Sequence, residues 1–420
     1  MSLIRRYSSK LQFVITATVM GNLLQWFDFS LFGLMLPIFL KLFFPNTASS
    51  FLLVLYACGA LARPVGGIVF GYIGDTLGRK YALIKTILFM TIPILLVACL
   101  PSYKQIGITA SILLGAIYCF QGFCIGGEFP GSVVFLCESA PPKQRGYVGS
   151  WAYFGVALGL FLVSFDIFEL ELNLPTQVLL DWGWRIPFFI GAFVGAIGFF
   201  MRHFLHETPI FQEAKAVGHL VHKPLFDTVH KHKKMLLIAI GIFVLDAVAF
   251  NLIIIFSNFY YTEYFGLTLR ESFKLNVFVV FLFLILMPIL GKIGNHVGNI
   301  RFAKGSAWAM LLLVFPLYLL IAQKTLLCFY LGQGALAIIL AAYLCNMPGI
   351  VYDLFPTPVR YTCVACAINF SVALFGGTAP FIVQKLIGMS GFTLLPSLYL
   401  MVGALISLLC LSTLKRAQLS

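Results

Sequence analysis

Runs of twenty or more apolar residues recur along nearly the whole chain, and that feature leaves few folds open. A helix needs about 20 apolar residues to cross the hydrocarbon core of a bilayer. Twelve such spans fit, near residues 12–39, 51–74, 81–100, 107–137, 147–170, 185–203, 235–262, 272–293, 305–323, 325–352, 361–387 and 393–414. With 60% of residues hydrophobic and 10% charged, polar side chains are too few to cover a soluble domain, so lipid must be the main solvent. The expected fold class is an all-α integral membrane protein of twelve transmembrane helices.

Charge decides the topology. The net charge of +13 suggests nucleic acid until its distribution is followed. With both termini placed in the cytoplasm, Lys41, Lys104, Arg185, Arg270, Lys274, Lys324 and Lys385 fall outside, and every other Lys and Arg except mid-span Arg63 falls inside. Positive-inside bias thus accounts for the basic balance without nucleic acid. The opening MSLIRRYSSK leads into an apolar stretch with no small-residue cleavage site, so a retained first helix is expected. Cys58, Cys119, Cys124, Cys345, Cys363 and Cys366 sit in apolar spans, where a thiol behaves as a small hydrophobe. The Cys363-x-x-Cys366 pair has no second pair or His cluster beside it, and neither a cofactor nor a metal is expected.

The longest polar stretch, 203–234, divides the spans six and six, giving an N-terminal bundle (1–202), a cytoplasmic linker and a C-terminal bundle (235–420). His219, His222, His230 and His232 make that linker a solvated basic loop. Weak repetition supports the division. Gly71, Gly74, Asp75, Gly78 and Arg79 are echoed by Gly291, Gly294, Asn295, Gly298 and Asn299, and Glu138, Pro141 and Arg145 by Asp353, Pro356 and Arg360. Two duplicated halves produce both echoes.

The Gly71–Arg79 loop is the most specific short signal. Its glycines let helix ends approach closely, and Asp75 is positioned to cap the third helix. Glu138 and Arg145 are the expected partners of Arg79 and Asp75, in a charge cluster that latches the cytoplasmic side; Asp353 and Arg360 are its counterparts in the second half. Ionisable groups deep in a membrane are costly and usually functional. The deep ones here are Asp28, Arg63, Glu128 and Asp246. Asn22, Gln25 and Asp28 share one face of the first helix, and Tyr56 lies on the Arg63 stripe of the second. Asp28 or Glu128 is the expected partner of Arg63 when no anionic substrate is bound, and Glu128, set among glycines, is the expected proton site.

The segments GNLLQWFDFSLFG (21–33), ARPVGGIVFGYIGDTLGRK (62–80), QGFCIGGEFPGS (121–132), RGYVGSW (145–151), WGWRIPFFIG (182–191), HETPIF (206–211), FPTPVRYT (355–362) and FGGTAP (375–380) resemble the major facilitator superfamily. Within it they are similar to the metabolite:proton symporter family of proline/betaine, 2-oxoglutarate, shikimate and citrate carriers. The resemblance implies two six-helix bundles, alternating access and proton-coupled uptake. The family usually has Glu where this chain has Gln25, which cannot titrate, so coupling must use Asp28 or Glu128 or be lost.

The expected function is secondary transport, in a bacterial inner membrane, of a small carboxylate-bearing metabolite together with protons by a monomer embedded in lipid. An uncoupled exchanger or facilitator of the same solutes is the alternative. A membrane enzyme or receptor has little support, because the sequence shows no nucleotide loop, no metal-spaced His/Asp cluster facing a membrane surface and no soluble sensing domain.

Overall fold

The computed structural model describes residues 2–45, 50–221 and 224–414, all helices and turns. The long helices are α1 (Ser2–Leu34), α2 (Ser50–Thr76), α3 (Arg79–Ala98), α4 (Ile108–Ser139), α5 (Arg145–Asn173) and α6 (Ile186–His203) in the first half. The second half has α7 (Lys233–Ala249, then Phe250–Ile255 and Ser257–Phe265), α8 (Leu269–Val297) and α9 (Asn299–Ile321). It continues with α10 (Leu326–Leu344, then Met347–Leu354), α11 (Arg360–Ser371, then Val372–Gly376 and Ala379–Ser390) and α12 (Leu395–Thr413). All but α1 and α2 meet the length and apolarity of a membrane span over their described residues.

The first helix begins ten residues earlier than the apolar run indicates and breaks at Met35, ahead of Pro37 and a short helix, Leu36–Phe43. At the end of the first bundle away from the linker Phe39, Phe43, Trp184 and Phe188 interlock, with Phe39 and Trp184 edge to face at 5.9 Å. A second apolar cluster crosses between the halves, joining Phe129, Val133 and Tyr153 to Ile242, Phe250 and Ile368.

Two seams join the bundles, α2 against α11 and α5 against α8. In the first, a methyl group on Gly71 would strike the backbone of Thr362, and one on Gly74 would strike the Tyr361 ring. In both repeats the loop after the seam helix turns on a left-handed glycine, Gly78 (φ 126°) and Gly298 (φ 101°), which explains why those glycines coincide. Helices α7 and α11 each carry a π turn, Phe250–Ile255 and Val372–Gly376. The linker is not a loop throughout: it contains the helices Pro209–Ala216 and Pro224–Lys231.

Candidate substrate site and gate

At the end of the molecule that carries the linker, the two halves are tied by buried charge. Asp75 ends α2, and its carboxylate accepts from Tyr361 N (3.1 Å), Thr362 N (2.9 Å) and Thr362 Oγ1 (2.8 Å). It therefore caps α11 across the seam, whereas the sequence predicts a cap on α3. The first turn of α3 is served instead by Glu207, which accepts from Lys80 N at 3.1 Å and from Thr208 N at 2.8 Å. Burial raises the pKa of the Glu207 carboxyl, against the pull of those N–H donors.

Arg79, fully buried, meets Asp75 at 3.1 Å and Glu138 at 3.2 Å, and donates to Thr357 O of the other half at 2.7 Å. Glu138 also accepts from Arg360 (3.0 Å) and Thr208 Oγ1 (2.5 Å). Arg145 does not pair with Asp75: its guanidinium stacks 4.7 Å from the Tyr352 ring, and Arg360 lies 4.0 Å from the same ring. Asp75 is already saturated by α11 and Arg79, which leaves Arg145 no role there. Asp353 is exposed and joins none of the ion pairs among the described residues. One layer deeper, Tyr361 Oη donates to Gly127 O (2.8 Å) and Asn369 Nδ2 to Gly126 O (2.7 Å).

Glu128 does not meet Arg63. It is locked inside the first bundle by a two-pronged pair with Arg202, and Thr86 Oγ1 adds a 2.6 Å bond. Arg202 lies at the end of an apolar run and reads from sequence as one more inside-loop cation, so only its lack of an aqueous exit in three dimensions reveals the pair. Asp28 is also off the Arg63 stripe: Gln121 Nε2 donates to both of its oxygens at 2.8 Å. Asn22 donates to Ala152 O (3.3 Å), and Gln25 is buried between these layers. The side chain of Tyr56 lies outside the described residues.

Where the seams meet, a cavity of about 50 Å³ lies between the bundles. Arg63 enters it from the first half and Asp246 from the second, amid Trp26, Phe29, Phe129, Tyr153 and Phe250. Phe29 lies 5.8 Å from the Arg63 guanidinium, Trp26 and Phe250 contact at 4.7 Å, and Tyr153 Oη donates to Asp246 Oδ2 at 2.6 Å. Both π turns border it, through Phe250 and Asn251 on α7 and Val372 on α11. Sequence reasoning missed Tyr153, Glu207, Thr208 and Phe211, the last packed 4.7 Å under Arg79. The HETPIF segment signalled the last three, without disclosing their role.

A model of the sugar (and other) transporter family matches residues 13–220. The glycine betaine/proline/ectoine/pipecolic acid transporter OusA of Dickeya dadantii is 32% identical over 95% of this chain and 82% of its own length. The proline/betaine transporter of Escherichia coli is 32% identical over 97% of this chain and 84% of its own length. The E. coli proton:xylose symporter XylE has the same fold, with a TM-score of 0.75 at 16% identity over 96% of this chain and 95% of that one. The chain belongs to the major facilitator superfamily, to the family of these relatives, and is a multi-pass membrane transporter of small solutes and not an enzyme.

Proposed function

We propose that this protein takes up a small zwitterionic solute of the proline or betaine kind with a proton, by alternating access, in a bacterial inner membrane. Both termini and the linker are assigned to the cytoplasm, the protein works as a monomer in lipid, and the latched arrangement is the one closed to the cytoplasm. The two bundles run from residue 1 to 202 and from 235 to 420. One observation carries the reading: a cation, Arg63, and an anion, Asp246, face a common aromatic-lined cavity at the bundle interface. A solute with a carboxylate and a cationic nitrogen neutralises both poles, while an aromatic wall favours an alkylated ammonium. The named relatives, carriers of glycine betaine and proline, point the same way.

Charge balance then assigns the proton. A zwitterion leaves the cavity neutral, and Arg202 already neutralises Glu128, so the coupled proton belongs on Asp28, whose described hydrogen-bond partner is the neutral Gln121. Gln25, which cannot titrate, favours a second reading, an uncoupled exchanger of the same solutes. Uptake of glycine betaine by proteoliposomes with and without an imposed pH gradient tests both. Accumulation driven by the gradient and lost in Asp28→Asn is expected; equal uptake in both conditions establishes the exchanger.

A further inference from the structure

Of the carboxylates buried in the described helices, Asp246 alone lines the central cavity, and the mechanism so far gives Tyr153 no part. Tyr153 stands on α5, in the first bundle, and Asp246 on α7, in the second, so their 2.6 Å hydrogen bond crosses between the moving bodies. The bond lies toward the linker end of the cavity. Tyr153 is two turns from the start of α5 at Arg145, and Phe129, which packs edge to face on its ring at 4.9 Å, lies on the half of α4 nearer the latch.

Tyr153 is 3% exposed, so the ring cannot swing to water for another acceptor. Any separation of the bundles at the linker end must break this bond. Oδ2 of Asp246 is taken by Tyr153, which leaves Oδ1 as the oxygen a solute in the cavity can reach.

A hydrogen bond to an ionised carboxylate is about twice as strong as one between neutral groups. Its strength follows the charge on Asp246. A cationic nitrogen against Oδ1 draws that charge away from Oδ2 and weakens the bond to Tyr153. We propose that Tyr153 is a positioning residue that makes Asp246 an occupancy switch. With the cavity empty, the Tyr153–Asp246 bond holds the floor closed; a solute with a cationic nitrogen releases it, and the floor opens to the cytoplasm. A carboxylate that lacks that nitrogen lies against Arg63 but leaves the tie at full strength, so it binds without triggering opening. This rests on the zwitterion reading above and adds the step by which the cargo's cation, not its carboxylate, licenses release.

The test uses the full-length protein in inverted vesicles, with Ile368→Cys as a reporter in a background free of other reactive thiols. Ile368 borders the cavity on α11, so an impermeant maleimide reaches it from the linker side only when the floor opens. The probes are glycine betaine and 3,3-dimethylbutanoate, its isostere with carbon in place of the cationic nitrogen. In the parent, glycine betaine is expected to accelerate labelling and the isostere to leave it unchanged. Tyr153→Phe is expected to raise labelling without any ligand about tenfold, the equilibrium worth of one charge-assisted bond, while binding of glycine betaine persists. Ligand-free labelling at the parental rate in a folded Tyr153→Phe protein overturns the switch.

Asp246→Asn carries the same test should Tyr153→Phe fail to fold, because an amide removes the charge that strengthens the tie. It is expected to label rapidly without ligand and to bind the two probes equally. If it still prefers glycine betaine, the zwitterion reading fails. If the preference is lost but ligand-free labelling stays at the parental rate, that reading stands and the switch alone is overturned.

Discussion

The two seams that hold the bundles together occupy equivalent places in the repeat and use different chemistry. At the seam of α2 with α11, Asp75 caps the first turn of α11 through Tyr361 and Thr362, and Arg79, Glu138 and Arg360 close a buried charge network around it. At the seam of α8 with α5, Asn295 takes the place of Asp75: its Oδ1 accepts from Tyr147 N at 3.4 Å and its Nδ2 donates to Lys143 O at 2.6 Å. Tyr147 stands two residues after Arg145, as Thr362 stands two after Arg360, so the same helix turn is capped in both. The geometry of the cap has survived duplication and the charge has not. A neutral hydrogen bond is worth about 1 kcal/mol, and removing one partner of a buried ion pair costs about 3–5 kcal/mol. Of the two seams, the comparison therefore assigns the larger share of the latching free energy to α2–α11, with α5–α8 acting as a guide.

The largest expected effect follows from Glu138, which accepts from Arg79, Arg360 and Thr208 at once. Glu138→Gln keeps the shape but leaves two buried guanidinium groups without their shared anion, at a cost of about 3–5 kcal/mol. Thiol labelling from the linker side should then find the latch open in most molecules. A closed latch in this variant removes the asymmetry between the seams.

Next comes Gly74→Ala, whose methyl group would enter the Tyr361 ring. Tyr361 is pinned by its bond to Gly127 O, so it cannot step aside, and the closed arrangement should be lost with it. The equivalent Gly294→Ala meets the amide oxygen of Asn346, whose Nδ2 is bonded to Ala342 O, a smaller obstacle than an aromatic ring, and should reduce transport severalfold at most. Matching losses in the two variants would show that both seams close equally tightly.

How much of this was legible in sequence depends on which kind of contact is asked for. The spans, the repeat and the pairing of Arg79 with Glu138 follow from apolar run length, glycine spacing and opposite charges at one membrane edge, all of which are local. The sequence points Asp75 at α3 and not at α11 because its capping partner lies 286 residues away, and an N-cap rule looks only a few residues ahead. The sequence offers Glu128 as a partner of Arg63 and as the proton site because glycines around a carboxylate signal close packing without saying what packs there. Arg202, from α6, fills that place. The linker's Glu207, Thr208 and Phe211 were absorbed into a basic loop because composition outweighed the single Thr-Pro helix start, with Thr208 as N-cap of the helix from Pro209.

A smaller effect concerns pH. Burial holds the Glu207 pKa above the ordinary glutamate value in the latched arrangement, and opening returns it toward that value. The latched state thus binds the proton more tightly, so acidification through the carboxylate range should favour latching and slow labelling from the linker side. Glu207→Gln, which mimics the protonated group, should label slowly at every pH and flatten the profile. Faster labelling on acidification would place the titrating group elsewhere.

The smallest effect belongs to the neutral seam and is the sharpest check on the comparison. Asn295→Ala removes one long acceptor bond to Tyr147 N and one donor bond to Lys143 O, the second at an exposed site where water can substitute. The loss of a helix cap of this kind costs about 1 kcal/mol, which shifts a two-state balance by less than tenfold. The counterpart Asp75→Ala removes an anion that serves Arg79 and three donors of α11, and its cost should exceed that of Asn295→Ala by a factor of two or more in free energy. Introducing the missing charges, as Asn295→Asp with Asn299→Arg, probes the same point from the other direction. An aspartate at 295 faces the α5 amide as Asp75 faces α11, but Asp353, the counterpart of Glu138, is exposed and joins none of the ion pairs among the described residues. The added pair should therefore recover little of the strength of the first latch. If the double variant instead closes the linker end as firmly as the α2–α11 network does, then the charge, and not the buried third partner, is what the second seam has lost.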